Sequence, residues 1–290
     1  MRHPLMIASA LIVGHPVLAH RALPAPALAT VAQRIVRLKI IRPQRLVKHP
    51  GWGAGEALRF RIRLAGIEAA QATVVIGQPL RSGADRTLKV RAFGQTTPLM
   101  RNFVALSEDR HVLLAVRQLK PLRSHSLRIK GDSSRKITTR FDRWPVKQLV
   151  VRRTANRESS ALRQRRLPRD VRDPLTAMLF LRSTPLMVGA TTAQRVLVGL
   201  VLYELRLRVV GKKRLRTTIG AFDAMELRGE MRRIADDGKP LANKQPRRAE
   251  LWLSDDSRRL PLLAAFRSDY GWLEVELDRQ SAAKQPIRLR

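Results

Sequence analysis

Cysteine is absent from this 290-residue chain. That removes thiol catalysis, iron–sulfur clusters, Cys-type zinc sites, disulfides and a lipidated N-terminal cysteine together. Aromatic residues make up only 4%, too few to interleave with the bases as stacking platforms for nucleic acid. Acidic residues are scarce as well: Asp+Glu 23 stand against Lys+Arg 57, a formal net charge of +34. Beyond the N-terminus no stretch approaches the ~20 apolar residues needed to span a bilayer as a helix.

What is present is arginine. It supplies 45 of the 57 bases, and counterion release from nucleic acid does not by itself favour Arg over Lys. A coding bias toward Arg and selection for an anionic partner both produce this excess. Either way the surface is strongly cationic and favours anionic neighbours.

Residues 1–29 read as a secretory signal peptide. Arg2 and His3 precede an uncharged apolar run from Pro4 to Gly14, and small-residue cleavage sites end at Ala19 or Ala29. Pro16, Pro24 and Pro26 argue against a continuous helix there. The expected location is therefore periplasmic or secreted. Cleavage leaves His49, His111 and His125, in separate segments and without the i, i+4 spacing of helical zinc ligands. They are read as surface or packing residues.

A period of two dominates the rest. Leu58, Phe60, Ile62 and Leu64 alternate with Arg59, Arg61 and Arg63, and Leu205, Leu207 and Val209 alternate with Arg206 and Arg208. Such alternation marks half-buried strands of an antiparallel sheet. A dozen short segments of this type, separated by turns such as Gly131-Asp132-Ser133-Ser134 and Asp236-Asp237-Gly238, predict an all-β, mainly antiparallel fold: a curved sheet or barrel. One helix is predicted near 173–182, with Asp173 as cap and Pro174 at the first helical position. Arg152 to Arg172 reads as an exposed loop. The expected organisation is an N-terminal arm or extra strand at 30–50, a single β domain at 51–280 and a tail at 281–290.

The blocks Gly55-Glu56-Ala57-Leu58-Arg59-Phe60, Val171-Arg172-Asp173-Pro174-Leu175-Thr176-Ala177-Met178, Gly220-Ala221-Phe222-Asp223-Ala224 and Leu251-Trp252-Leu253-Ser254-Asp255-Asp256 occur in order, followed by Gly271 and Leu273-Glu274-Val275-Glu276-Leu277. Together they resemble the secreted bacterial family called domain of unknown function 3108. The resemblance implies a secreted or periplasmic, mainly antiparallel β protein with no assigned activity and no catalytic residues. Ala70 stands where that family usually has glycine, which argues against a bulge or positive-φ turn after Ile67.

Chemistry-bearing motifs are weak. Gly51-Trp52-Gly53-Ala54-Gly55 is followed by a strand, whereas a phosphate cradle needs a helix N-terminus. Asp255-Asp256-Ser257 reads as a hairpin turn, with Ca²⁺ ligation as the alternative; the EF-hand pattern is missing. No catalytic residue, metal or cofactor is assigned. Arg59, Arg61, Arg63, Arg206 and Arg208 are the candidate anion-binding residues, because a planar guanidinium grips oxyanions bidentately. If the two groups occupy neighbouring strands they form one cationic face. A solvated face is the plain alternative. The expected function is non-enzymatic binding or scaffolding of an anionic envelope component, a lipid, lipopolysaccharide or glycan. A nucleic-acid-binding basic protein and an unrecognised hydrolase are the alternatives. An interior hollow of roughly 300–1,000 Å³ fits a lipid carrier, and a packed interior excludes one.

Overall fold

The computed structural model describes residues 46–47, 50–82, 85–268, 270–283 and 285–287. The expected signal peptide, nearly all of the 30–50 arm and His49 lie outside the described residues. The strands in chain order are β1 (Gly53–Ala54), β2 (Ala57–Leu64), β3 (Ile67–Ser82) and β4 (Asp85–Thr96), then, after the short helix α1 (Pro98–Arg101), β5 (Leu106–Ala115), β6 (Lys120–Lys130), β7 (Ser133–Arg140), β8 (Val146–Thr154) and β9 (Arg157–Arg165). Helix α2 (Pro174–Arg182) follows, and then β10 (Thr191–Val198), β11 (Val201–Thr217), β12 (Gly220–Ile234), β13 (Arg247–Ser254), β14 (Pro261–Ser268), β15 (Gly271–Ser281) and β16 (Gln285–Pro286).

Fourteen strands form one antiparallel sheet in the order β10-β11-β12-β13-β14-β15-β2-β3-β4-β5-β6-β7-β8-β9, and β1 pairs with β16 beside it. The sheet curls without closing. No ladder joins its edges β9 and β10, but side chains cross the seam. Gln148 donates to the Gly199 carbonyl at 2.9 Å, Arg165 donates to the Leu200 carbonyl at 2.9 Å, and Arg165 also pairs with Asp236. The predicted curved sheet is thus present, and one cause of its curvature is plain. Strands such as β2 and β5 bury apolar residues on one face, and the sheet wraps that face around α2.

Alternation decides which face that is. In β2, Leu58, Phe60 and Ile62 are buried while Arg59, Arg61 and Arg63 are half-buried on the opposite side. The inward residues of β2 to β5 pack with Leu175, Leu179 and Phe180 of α2 in the main core. Asp173 caps the helix, its Oδ1 accepting from the Thr176 amide at 2.9 Å and from the Thr176 hydroxyl at 3.0 Å. At the other end Arg182 donates to both oxygens of Glu56, and Trp52 donates to the Ser183 hydroxyl at 2.9 Å. The helix is therefore a plug fixed at both ends.

One local expectation is corrected. Of the segment read as a loop from Arg152 to Arg172, residues 152–165 are the end of β8, a turn and all of β9, and 166–172 lie outside the named strands. β9 escapes a periodicity test because it is an edge with nearly every residue exposed. β10 likewise lacks a periodic signal, since Val196, Leu197 and Val198 are all buried in succession. The 281–290 tail is partly structured: β16 pairs with Gly53 and Ala54, and Ile287 is buried in the core. Near Ala70 the register of β2 against β3 shifts at Ile62/Arg63, a bulge that forms without left-handed backbone. The positive φ values fall earlier, at Ala65 and Gly66 in the hairpin turn.

Candidate functional site

Arg59, Arg61 and Arg63 do share one face, as the alternation requires, but that face is the outer one and it carries acids. β15 lies beside β2 and brings Glu276 and Asp278 to them. Arg63 binds Glu276 at 2.7 Å, Arg61 binds Asp278 at 2.6 Å, and Arg59 donates to Gln71 at 2.6 Å with Asp278 3.8 Å away. Arg206 binds Glu204 at 2.8 Å, and Arg208 lies opposite Arg228. Four strands separate β2 from β11, so the two arginine groups do not sit on neighbouring strands. The signal for these partners was local: Glu274, Glu276 and Asp278 stand on the polar side of the β15 pattern.

The interior carries different chemistry. Between α2 and the wall formed by β10 to β15 and β2 to β4 lies a hollow of about 180 Å³. Met178, Val196, Leu205, Leu251, Ala264 and Phe266 line it, and Gln194, Tyr203 and Arg182 are its polar groups. Leu205, Leu251, Ala264 and Phe266 face inward yet stay only half-buried, because their surfaces open onto this space. Gln194 is buried and its Oε1 has no hydrogen-bond partner. Burial also pushes the Tyr203 hydroxyl pKa up. The volume falls short of the roughly 300–1,000 Å³ of drug-sized pockets. It exceeds the ~150 Å³ that admits a benzene-sized group in an engineered apolar cavity. A whole two-chain lipid does not fit; part of one hydrocarbon chain does.

A second cluster lies on the same concave side, on β5 to β8. Glu108 accepts from Arg110 at 2.9 Å and from Arg128 at 2.7 Å. Burial alone would raise the Glu108 carboxyl, but Arg110 and Arg128 outweigh it and hold the pKa below the usual range. Register then places Arg128 opposite Glu108, Arg135 opposite Arg128, and Arg152 opposite Arg135. The Arg135 pKa is lowered first by burial and then by Arg128 and Arg152. Glu108, Arg110, Arg128 and Arg135 enclose a small cleft that shares Val198 with the apolar hollow. None of these arginines stood out in the sequence, because each comes from a different strand and only the register aligns them.

The remaining motifs are structural. Trp52 is buried, and a Cβ on Gly51 would sit 2.3 Å from the Ser257 carbonyl, so the glycine allows a close backbone approach. Asp256 closes the β13–β14 turn by accepting from the Ser254 hydroxyl and from Arg258, and Asp255 pairs with Lys212 and Arg259. His111 and His125 turn out to be cross-strand partners with ring centroids 4.8 Å apart. Among the described residues, no group of three or more potential ligands is placed to hold a metal, and no helix is long and apolar enough to cross a membrane.

No curated protein matches the chain. Among solved structures it is similar to a β-barrel-like protein of domain of unknown function DUF1849 from Brucella abortus, at 9% identity and TM-score 0.43, covering 83% of this chain and 100% of that one. It is also similar to a candidate exported protein with a YmcC-like fold from Bacteroides fragilis, at 10% identity and TM-score 0.34, covering 81% and 99%. A third is a candidate lipoprotein from Parabacteroides distasonis, at 5% identity and TM-score 0.36, covering 81% and 99%. The family described as "Protein of unknown function (DUF3108)" matches residues 59–278, and the chain belongs to that family.

Proposed function

We propose that this chain is a non-enzymatic binding protein of the cell envelope, acting outside the cytoplasm, that shelters the apolar part of an anionic lipid-like molecule. The observation that carries this reading is the hollow of about 180 Å³ between α2 and the sheet, walled almost wholly by hydrocarbon. An apolar void is costly to keep, since its lining atoms lose their packing partners. Of its polar groups, Gln194 and Tyr203 anchor and orient, Arg182 is held by Glu56 and the Arg258 carbonyl, and none forms a nucleophile–base pair. The hollow favours a lipid over a glycan, because a sugar brings hydroxyls that hydrocarbon walls leave unpaired.

Mass spectrometry of the gently purified protein, with a naphthylamine fluorophore as a reporter of the hollow, tests this. Expected are a copurified single-chain lipid and fluorophore binding that Ala264→Phe abolishes while the circular dichroism spectrum is kept; Ala177→Leu is the second filling variant. Copurified nucleic acid released steeply by salt, with no lipid and no fluorophore binding, overturns the reading.

A further inference from the structure

The row Glu108, Arg128, Arg135, Arg152 crosses four neighbouring strands at one level on the concave face. Like charges directly opposite each other on a sheet repel and destabilise it, and this row contains two such contacts in succession. Glu108 is the one carboxylate in ion-pair contact with the group, and Arg110 also acts on the buried Asp173. Glu108 is engaged by Arg110 and Arg128, so Arg135 and Arg152 find no carboxylate within ion-pair distance among the described residues. Arg110 adds a fourth guanidinium; it is 4% exposed and its Nε lacks a hydrogen-bond partner. Within the row, three arginines against Glu108 leave an excess of about two positive charges on a partly desolvated surface, where charge is felt more strongly than in water.

The row also has a direction. It lies close to the β6–β7 turn at Gly131-Asp132 and to the β8–β9 turn at Ala155-Asn156, so it stands at one end of the curled sheet. The N-terminus of α2 points to the same end, where Arg172 bridges to Val196. Val198 borders both the arginine cleft and the apolar hollow.

We infer that Arg110, Arg128, Arg135 and Arg152 form the headgroup subsite for a single-chain amphiphile whose oxyanion, a carboxylate or a phosphate, sits among the guanidiniums while its chain enters the hollow past Val198. This rests on the binding reading above and narrows it to one chain and one anionic head. The uncompensated row then has a reason: a bound oxyanion supplies the missing negative charge and accepts bidentate bonds from the planar forks. The outer-face arginines differ in kind, because Arg61 and Arg63 already hold carboxylates.

The test is displacement of the naphthylamine fluorophore by four twelve-carbon probes: dodecanoate, dodecyl phosphate, dodecylphosphocholine and dodecyl maltoside. Expected is tighter binding of the two anions than of the zwitterion and the neutral detergent, by about tenfold or more, as for a hydrogen bond to a charged group. Dodecanoate and dodecyl phosphate separate a fatty-acid head from a phosphate head. Arg135→Gln is expected to remove that preference while leaving dodecyl maltoside unchanged. It should also leave the thermal midpoint equal or higher, since it deletes a repelling charge; Arg152→Gln is the second variant. If all four probes bind alike, or the preference survives both variants, the headgroup subsite is overturned while the hollow stands. If neither the fluorophore nor any probe binds, the binding reading itself has failed.

Discussion

Arg182 and Glu56 face each other across two parallel hydrogen bonds of 2.8 and 2.9 Å, with side chains 0% and 1% exposed. The pair ties the last turn of α2 to the chain just before β2, and Arg182 also donates to the Arg258 carbonyl at 3.2 and 3.0 Å. Removing one partner leaves the other buried and uncompensated, which costs about 3–5 kcal/mol. Glu56→Leu and Arg182→Met are each expected to lower the unfolding free energy read from urea titration by that amount. The double variant is expected to be markedly more stable than the sum of the single losses. Strict additivity in the double-mutant cycle would mean that the two side chains are not coupled.

Asp173 combines two opposing effects. As an N-cap it satisfies the Thr176 amide, but it is 1% exposed, its Oδ2 has no partner, and burial pushes its pKa up. A carboxyl that holds its proton more tightly when folded makes stability fall as pH rises above the unfolded value near 3.8. The loss continues until the folded-state pKa is passed. Asp173→Asn keeps the cap acceptor and has no charge to bury, so it is expected to raise stability at pH 7 and flatten that slope. Asp173→Ala is expected to cost about 1 kcal/mol through the lost cap. Denaturant titrations at pH 4.5 and pH 7 distinguish these outcomes.

His111 and His125 act with the opposite sign. Burial lowers both pKa values, aided for His111 by His125 and Lys89, and for His125 by Lys136, Lys89 and Arg123. A histidine that resists protonation when folded contributes full stability above the unfolded value of 6.5, and that contribution is lost as pH falls below it. The melting temperature is expected to drop between pH 7 and pH 5.5, and His111→Gln should reduce the drop. An identical drop in the variant would assign the acid sensitivity to other groups.

Edge strand β9 is open along its outer side and carries Arg157, Arg163 and Arg165. Charges on an exposed edge discourage pairing with a second chain. Arg157→Val combined with Arg163→Val is expected to produce concentration-dependent oligomers in light scattering. A monomeric variant across the concentration range would mean that these charges are not what protects the edge.

β2 shows what local pattern can carry. Leu58, Phe60 and Ile62 against Arg59, Arg61 and Arg63 specify a half-buried strand, because side chains of a pleated strand leave it on alternate faces. The cap–proline pair Asp173-Pro174 specifies the start of the helix for an equally local reason. β9 shows where this ends: an edge exposed on both faces has no buried side to imprint a period. β10 buries the polar Thr192 and Gln194 and then Val196 to Val198 in succession, so its residue types do not alternate with its faces.

By itself, then, the order of residues determined the elements that have one dry face, the antiparallel class and the cationic balance, since each is set by neighbours a few positions away. Only the tertiary structure decided which charges meet. The acids of β15 fell beside Arg61 and Arg63, while Arg128, Arg135 and Arg152 were stacked with Glu108 as their sole acidic neighbour in the row. Cross-strand register depends on turn lengths and bulges summed over many residues, and a one-residue slip would send each of those guanidiniums to the opposite face.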